Sequence, residues 1–287
     1  MVVIRFILIV LFILLIQILL LQTSVLLNAS GTEYGMSNGG LIGLSNVPTQ
    51  TSASGVWRHE EVMESIKNAT WSKSYVTDGL MTHWEAGNTA SWPGSGTTWY
   101  DLSGNGTNAT FNSAPTLSSN SFDMSANWAD FNLPSISSGV MSIEMVAKVN
   151  AWGGMFCGWN IYDAYTANGH IGYNTGNSDL FGVNSSTVTS LGCLSNIKHY
   201  IFEFRSDVSY NQNRVSIQGI SQSEGQQQNS ESAGNRTFNG GSGRISGWRY
   251  STGYPLNMNL YMVRIYNRGL SYVEALQNYN SCTRLGV

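Results

Sequence analysis

Residues Met141–Asn150 read MSIEMVAKVN, and this stretch has the clearest structural pattern in the chain. Two sets of side chains alternate along it, one apolar and the other mostly polar. The apolar set is Ile143, Met145, Ala147 and Val149, and the other is Ser142, Glu144, Val146 and Lys148. Because successive side chains of a strand point to opposite faces, the alternation predicts an antiparallel strand with one buried face and one mostly solvated face.

Three further runs rich in β-branched and aromatic residues predict strands of the same kind. They are HYIFEFR (His199–Arg205), RVSIQGI (Arg214–Ile220) and LYMVRIY (Leu260–Tyr266). Such runs begin after Lys73 and are separated by Gly, Asn, Ser or Asp, which is typical of an all-β sandwich or barrel. Residues 221–243 are polar and rich in glycine, so they predict a long loop.

A helix is expected at the end of the chain. Ser271 and Glu274 have the spacing of a capping box, which predicts a short helix that continues through Tyr279. We expect Leu276 and Tyr279 to face the sheet.

The composition excludes some classes of protein. Only 11% of the residues are charged and the formal net charge is -3, so we expect no nucleic acid as a partner. Nine Trp, 14 Tyr and 10 Phe indicate a packed chain rather than a disordered one. Cys157, Cys193 and Cys282 lack Cys-x-x-Cys spacing, which excludes a zinc ribbon and leaves room for at most one disulfide bond.

The N-terminal region contains a long apolar run. The 22 residues from Phe6 to Leu27 carry no charge. At about 1.5 Å per residue they span roughly 33 Å, enough to cross a bilayer core of about 30 Å. We therefore predict a transmembrane anchor within residues 1–30, with a lipid membrane as its partner; the alternative is a cleaved signal peptide. Arg5 precedes the run, which places everything after it on the non-cytoplasmic side.

An arm is expected between the anchor and the strands. Residues 31–56 are rich in Gly, Ser, Thr and Asn, which favours an extended arm or stalk. Residues 57–68 (WRHEEVMESIKN) predict a short helix within the region 31–73. The β-sandwich is then expected to occupy residues 74–287.

Two stretches of the sequence resemble a known protein family. The region Gly79–Asn88, followed by SWPGSGTTWYDLSGNGTNATF (Ser91–Phe111), resembles the opening of laminin-G-like, concanavalin-A-like jelly-roll domains of viral structural proteins, from phages or large DNA viruses. NLYMVRIYNRGLSYVEALQNYN (Asn259–Asn280) resembles their last strand and terminal helix. This resemblance covers about residues 78–280 and implies an antiparallel jelly-roll β-sandwich. The apolar anchor departs from tail-associated phage examples and indicates a virus with a lipid membrane, or a cell-surface protein.

Asp101, Ser103 and Asn105 form a candidate calcium site. They offer oxygen atoms at alternating positions, and Gly106 follows them as in the first half of a calcium loop. The twelfth position is Asn112 rather than a bidentate Glu, so affinity for calcium would be low. The alternative is turn chemistry, with bonds from the Asp101 side chain to nearby backbone and positive φ at Gly104 or Gly106. Calcium is the only candidate cofactor that the sequence indicates.

Catalysis is not expected. A glucanase of this fold class would carry closely spaced acids on one strand, because retaining chemistry needs two carboxyl groups about 5 Å apart. Glu144 and Glu203 have no second acid two residues away. The sequence therefore predicts no catalytic residues.

Exposed aromatic residues could stack on sugar rings. The candidates are Trp152, Trp159, Tyr173 and Trp248, whose alternative role is to fill the core or an interface. Asn-x-Ser/Thr sequons after the anchor are candidates for N-glycosylation. Beside Asn28, they are Asn68, Asn105, Asn108, Asn184 and Asn235.

Taken together, these features favour a non-enzymatic, membrane-anchored structural protein of a virus particle, either a minor capsid protein or a component of the virion membrane. Its sandwich would pack against other virion or capsid proteins. The alternative, from a different class, is a surface adhesin that binds glycans.

Overall fold

The computed structural model describes residues 75–159, 162–167, 169–174, 180–205, 213–222, 238, 240–248 and 252–287. The predicted anchor (1–30), arm (31–56) and helix (57–68) lie outside these residues. No helix in the described part of the chain is long and apolar enough to cross a membrane.

The described residues are mainly β-strands. The strands are β1 (Leu80–Glu85), β2 (Thr98–Trp99), β3 (Ala109–Phe111), β4 (Leu117–Ser118), β5 (Ser121–Asp123), β6 (Ala129–Leu133), β7 (Val140–Val149), β8 (Gly154–Trp159), β9 (Tyr162–Ala167), β10 (His170–Asn174), β11 (Leu180–Val183), β12 (Ile197–Arg205), β13 (Arg214–Ile217), β14 (Ile220–Gln222), β15 (Gly241–Ile245) and β16 (Met258–Tyr266). The helices are α1 (Ser185–Ser190) and α2 (Tyr272–Ser281), and a 3-10 turn follows at Thr283–Leu285.

These strands form two antiparallel sheets, each with eight strands in the described part of the chain. The first has the order β14, β13, β12, β7, β16, β5 and β4, and β1 also pairs with β16. The second has the order β11, β10, β9, β8, β15, β6, β3 and β2. Many neighbouring strands, such as β6 and β15, are far apart in sequence. Because two antiparallel sheets enclose a common core, the predicted antiparallel β-sandwich is confirmed.

Three of the predicted strands are present as β7, β12 and β16, each within two residues of the expected bounds. The prediction of one strand over Arg214–Ile220 was wrong. Gln218 and Gly219 have φ of 54° and 77°, and Ile217 pairs with Ile220 across them. Two central residues with positive φ are typical of a type I′ hairpin turn, so the segment reverses direction instead of continuing.

The long loop predicted at 221–243 also needs correction at both ends. Its first residues belong to β14 and its last to β15, while Phe238 forms a bridge with Ile136. The sequence pattern did not predict β15, because its glycine and serine residues give no apolar alternation.

An aromatic cluster fills part of the core between the sheets. Trp84 and Trp99 are fully buried, with ring centroids 5.8 Å apart. Phe111 and Phe122 lie 5.0 Å apart edge to face, and Phe131 lies 5.5 Å from Trp84. Such arrangements add to the stabilisation from burial, so this cluster joins strands of both sheets.

The prediction of a mostly solvated face on β7 was wrong. Ser142, Glu144 and Val146 are fully buried on the side of the sheet that faces away from the sandwich core. Helix α2 covers this side, and the chain at Val76 is fastened to it by a hydrogen bond from its N–H to Asn278 Oδ1 at 2.8 Å. A third layer therefore buries the outer face of the first sheet.

The predicted capping box is confirmed. The Ser271 hydroxyl accepts a bond from the Glu274 N–H, and the Glu274 carboxylate accepts one from the Ser271 N–H. The helix continues to Ser281, two residues beyond the prediction. Its fully covered face consists of Ala275, Asn278 and Ser281, whereas the expected Leu276 and Tyr279 are half-buried at its flanks.

Candidate functional site

A polar groove crosses the outer face of the second sheet. Its volume is about 560 Å³, within the range of small-molecule sites. The groove is lined by Gly106, Thr107, Asn108, Thr110, Asp130, Phe131, Asn132, Ser242, Gly243 and Arg244. Strands β3, β6 and β15 form its floor, and the loop before β3 forms one wall.

The register of the strands explains why these residues meet. Thr110 pairs with Asp130, and Asp130 pairs with Arg244. Asn132 pairs with Ser242 in the next row on the same face. Since side chains two apart on a strand share a face, these five polar side chains form a continuous polar surface opposite the core.

An ion pair lies at the centre of the groove. Arg244 Nε donates to Asp130 Oδ1 at 2.6 Å, and Nη2 donates to Oδ2 at 2.9 Å. The third guanidinium nitrogen, Nη1, donates to the Trp248 carbonyl at 3.1 Å. The guanidinium carbon lies 4.7 Å from the centroid of the Trp128 ring, a cation–π distance. Both charged side chains are consequently held in one orientation.

Gly243 is required by the close approach of Phe131. A Cβ atom at position 243 would lie well inside the contact distance of the Phe131 ring. The absence of a side chain there lets the ring pass beneath β15 and keeps the floor of the groove flat.

The turn at Asp101 positions the wall of the groove. The Asp101 carboxylate accepts bonds from the N–H groups of His83 and Ser103, each at 2.9 Å, and from that of Thr107 at 3.2 Å. The Asp101 N–H donates to Asn108 Oδ1 at 2.9 Å. Burial alone would raise the pKa of Asp101, but these hydrogen bonds hold it below its usual value. Thr107 and Asn108 are thereby fixed at the rim.

The same contacts bear on the predicted calcium ligands. Ser103 Oγ donates to Asp101 Oδ2 at 2.7 Å, and Asn105 Nδ2 donates to the carbonyl groups of Leu80 and Met81. Gly104 and Gly106 have φ of 89° and 75°. These are the bonds and dihedral angles expected of turn chemistry. Calcium binding at Asp101 stays a prediction.

The four aromatic residues predicted to stack on sugars occupy different environments. Tyr173 is only 1% exposed, and its hydroxyl donates to the Glu203 and Arg214 carbonyl groups, so its ring belongs to the core. Trp152 is half-buried against the core, and the side chain of Trp159 lies outside the described residues. Trp248 alone among the described members of this set touches the groove, through its carbonyl bond to Arg244.

The predicted glycosylation sites also differ. Asn105 and Asn108 are exposed, but both side chains hold the Asp101 turn. Asn184 is the N-cap of α1, and its side chain accepts a bond from the Thr187 N–H. Asn28, Asn68 and Asn235 lie outside the described residues. Glycosylation at any of them stays a prediction.

A second cluster of ionisable groups lies beneath α2. Glu144 Oε1 is 2.9 Å from Arg264 Nη1 and 2.8 Å from His199 Nε2, and all three residues are fully buried. Burial alone would raise the pKa of Glu144, but the Arg264 charge and the His199 contact lower it to about 2. Cys282 Sγ lies 3.8 Å from the same oxygen. The guanidinium already supplies the cation that a metal would provide, so the cluster serves to join α2 to the sheet.

Sequence reasoning missed Asp130 and Arg244 at the centre of the groove, and Trp128 beside Arg244. One local signal was present, since ADFNL (Ala129–Leu133) alternates small or apolar residues with Asp130 and Asn132. Its partner strand GSGRI carries no comparable signal, and only the fold brings Arg244 to Asp130.

The chain matches no protein-family model and no curated protein sequence. Among solved structures it is similar to the sialidase of Trypanosoma rangeli, with 11% identity and a TM-score of 0.52 over 75% of this chain and 35% of the sialidase. A complex of that sialidase with 2,3-difluorosialic acid aligns with 13% identity and a TM-score of 0.51, over 75% of this chain and 35% of the sialidase.

The binding domain of botulinum neurotoxin DC, solved with rat synaptotagmin II, aligns with 9% identity and a TM-score of 0.50, over 72% of this chain and 52% of that domain. The chain thus spans about a third of the sialidase and half of the toxin domain. At these identities the likeness establishes a shared fold.

Proposed function

We propose that the β-sandwich is a non-enzymatic carbohydrate-binding module whose ligand lies in the groove of the second sheet. The observation that carries the proposal is the fixed pair of Asp130 and Arg244 beside the ring of Trp128, on an open polar surface. Sugars present hydroxyl groups to polar side chains and C–H faces to aromatic rings. The groove offers the polar side chains, and the Trp128 ring lies beside its central ion pair.

The rest of the groove supports this ligand class. Asn108, Thr110, Asn132 and Ser242 are exposed and uncharged. Among the described residues that line the groove, Asp130 is the single carboxylate. Glycoside hydrolysis commonly uses a pair of acids, so one carboxylate held by an arginine favours binding without cleavage. The fold shared with a sialidase makes carbohydrates a reasonable class to test.

The virion role predicted from the sequence depends on residues 6–27 and on the resemblance to viral domains. It stays a prediction and is compatible with glycan binding, since a membrane anchor and an arm would present such a module to ligands.

The test is a glycan-array screen of the purified chain, followed by calorimetric titration of the best glycan. We expect Asp130→Asn to weaken binding at least tenfold, since one hydrogen bond to a charged group contributes about 1.5–3 kcal/mol. Trp128→Ala should also weaken binding, because it removes the ring on which the sugar would stack. Asp78→Asn is the matched control, because Asp78 also pairs with an arginine, Arg268, but lies outside the groove. Binding that is equally strong in Asp130→Asn and Asp78→Asn would reject the groove as the site.

A further inference from the structure

We propose that the groove selects neutral sugars and discriminates against sugars that carry a carboxylate. This inference rests on the proposed function and specifies the class of its ligand. It follows from which member of the central ion pair faces the solvent.

The arginine is the covered member of the pair. The Arg244 side chain is 12% exposed, whereas that of Asp130 is 47% exposed. Arg244 Nε and Nη2 donate to Asp130, Nη1 donates to the Trp248 carbonyl, and the Trp128 ring lies against the guanidinium. An anionic ligand would have to displace the Asp130 carboxylate to reach the two N–H donors bonded to it.

The group presented to a ligand is therefore an acceptor. An ionised carboxylate accepts hydrogen bonds and donates none, so Asp130 is suited to sugar hydroxyl groups. A ligand carboxylate at the same place would meet a like charge, at a cost of about 1 kcal/mol at 4 Å in water. The formal net charge of -3 adds to the repulsion.

The neighbouring groups complement a hydroxyl rather than an anion. Asn132 Oδ1 accepts from Ser242 Oγ at 3.0 Å, and Asn108 Oδ1 accepts from the Asp101 N–H at 2.9 Å. Both side chains are exposed, so their amide N–H groups can donate to a ligand hydroxyl. A hydroxyl group can donate to Asp130 and accept from an amide at the same time, whereas a carboxylate can only accept.

The layout also indicates a ligand longer than one sugar ring. Trp128, Asp130 and Asn132 alternate along β6 and the residue before it, so they lie on one face at intervals of about 7 Å. The aromatic end and the amide end are then roughly 13 Å apart. A neutral oligosaccharide would stack at Trp128 and form hydrogen bonds from Asp130 to Asn132.

The experiment compares matched glycans with the purified full-length chain. Neutral oligosaccharides from the array are titrated beside the same oligosaccharides carrying a terminal sialic acid or a uronic acid in place of the hexose. We expect the neutral member of each pair to bind about fivefold more tightly at low salt, the ratio that corresponds to a repulsion of about 1 kcal/mol. The ratio should decrease as salt screens the charges. Asp130→Asn should reduce this ratio by weakening the neutral ligand, while Asp78→Asn should preserve it. Urea unfolding of each variant verifies that the fold is retained.

The outcomes separate the two proposals. A ratio near one, or a preference for acidic glycans that weakens with salt and on Arg244→Lys, overturns the selectivity and leaves carbohydrate binding in place. Failure of every glycan to bind overturns both.

Discussion

Arg264→Met tests the role assigned to the buried cluster beneath α2. Methionine has a similar length and fits an apolar site, but it removes the cation that faces Glu144. The Glu144 carboxylate would keep its contacts with His199 Nε2 at 2.8 Å and Asn278 Nδ2 at 2.7 Å while losing its only charged arginine partner among the described residues.

The expected loss of stability is large for one side chain. Removing one partner of a buried ion pair costs about 3–5 kcal/mol, because the other charge stays in a low-dielectric interior. Arg264 also lies 3.9 Å from the centroid of the Tyr75 ring, a contact that methionine cannot reproduce electrostatically. With a urea dependence of about 1–3 kcal/mol per molar, the unfolding midpoint should fall by about 1 M or more.

The pH dependence of the Glu144 contribution to the free energy of unfolding should also change sign. The folded-state pKa of Glu144 is about 2, below the ordinary value of 4.5, so this group stabilises the wild type fully above pH 4.5 and loses that contribution as the pH falls toward 2. Arg264→Met removes the largest effect that offsets burial, so we expect the folded-state pKa of Glu144 to rise above the ordinary value. The Glu144 contribution to the variant's stability should then increase on acidification. The difference in unfolding free energy between variant and wild type should therefore become smaller as the pH falls from 7 to 4.

Urea unfolding followed by tryptophan fluorescence measures both effects. Arg268→Met is the matched control, because its partners Glu274 and Asp78 are partly or largely solvent-exposed and such pairs contribute about 1 kcal/mol or less. Adding Glu144→Gln to Arg264→Met should recover part of the loss by removing the uncompensated charge. A midpoint shift for Arg264→Met no larger than that of Arg268→Met would refute the reasoning.

Four further predictions concern other parts of the chain. Gly243→Ala should destabilise the fold by about 1–3 kcal/mol in urea unfolding, because the new methyl group overlaps the Phe131 ring. Asp101→Ala should loosen the groove wall, measured as faster amide hydrogen exchange at Thr107. A fragment of residues 74–287 should unfold cooperatively on heating, since it includes Tyr75 and Val76, which contact the buried cluster and α2. Residues 6–27 should hold the full-length protein in membranes during carbonate extraction.

Each of these has an outcome that contradicts it. Unchanged stability of Gly243→Ala would mean that Phe131 moves freely, and unchanged exchange in Asp101→Ala would mean that other bonds hold the wall. A fragment without a cooperative transition would show that residues before 74 complete the sandwich. Release of the full-length protein by carbonate would exclude the anchor.

The sequence alone determined features whose cause lies within a few residues. The period-two pattern identified β7, because strand geometry sends alternate side chains to opposite faces. Runs rich in β-branched and aromatic residues identified β12 and β16. The capping box at Ser271 and the turn at Asp101 were likewise predictable, since both depend on side chains that bond to backbone two or three positions away.

Only the tertiary structure decided which faces are covered and which polar residues meet. The polar positions of β7 indicated a solvated face, yet α2, more than 120 residues later, buries Glu144 against Arg264. The groove likewise joins Asp130 to Arg244, which are 114 residues apart. Strand patterns specify the orientation of side chains along one strand, whereas the pairing of distant strands and the layer packed on each sheet depend on the whole chain.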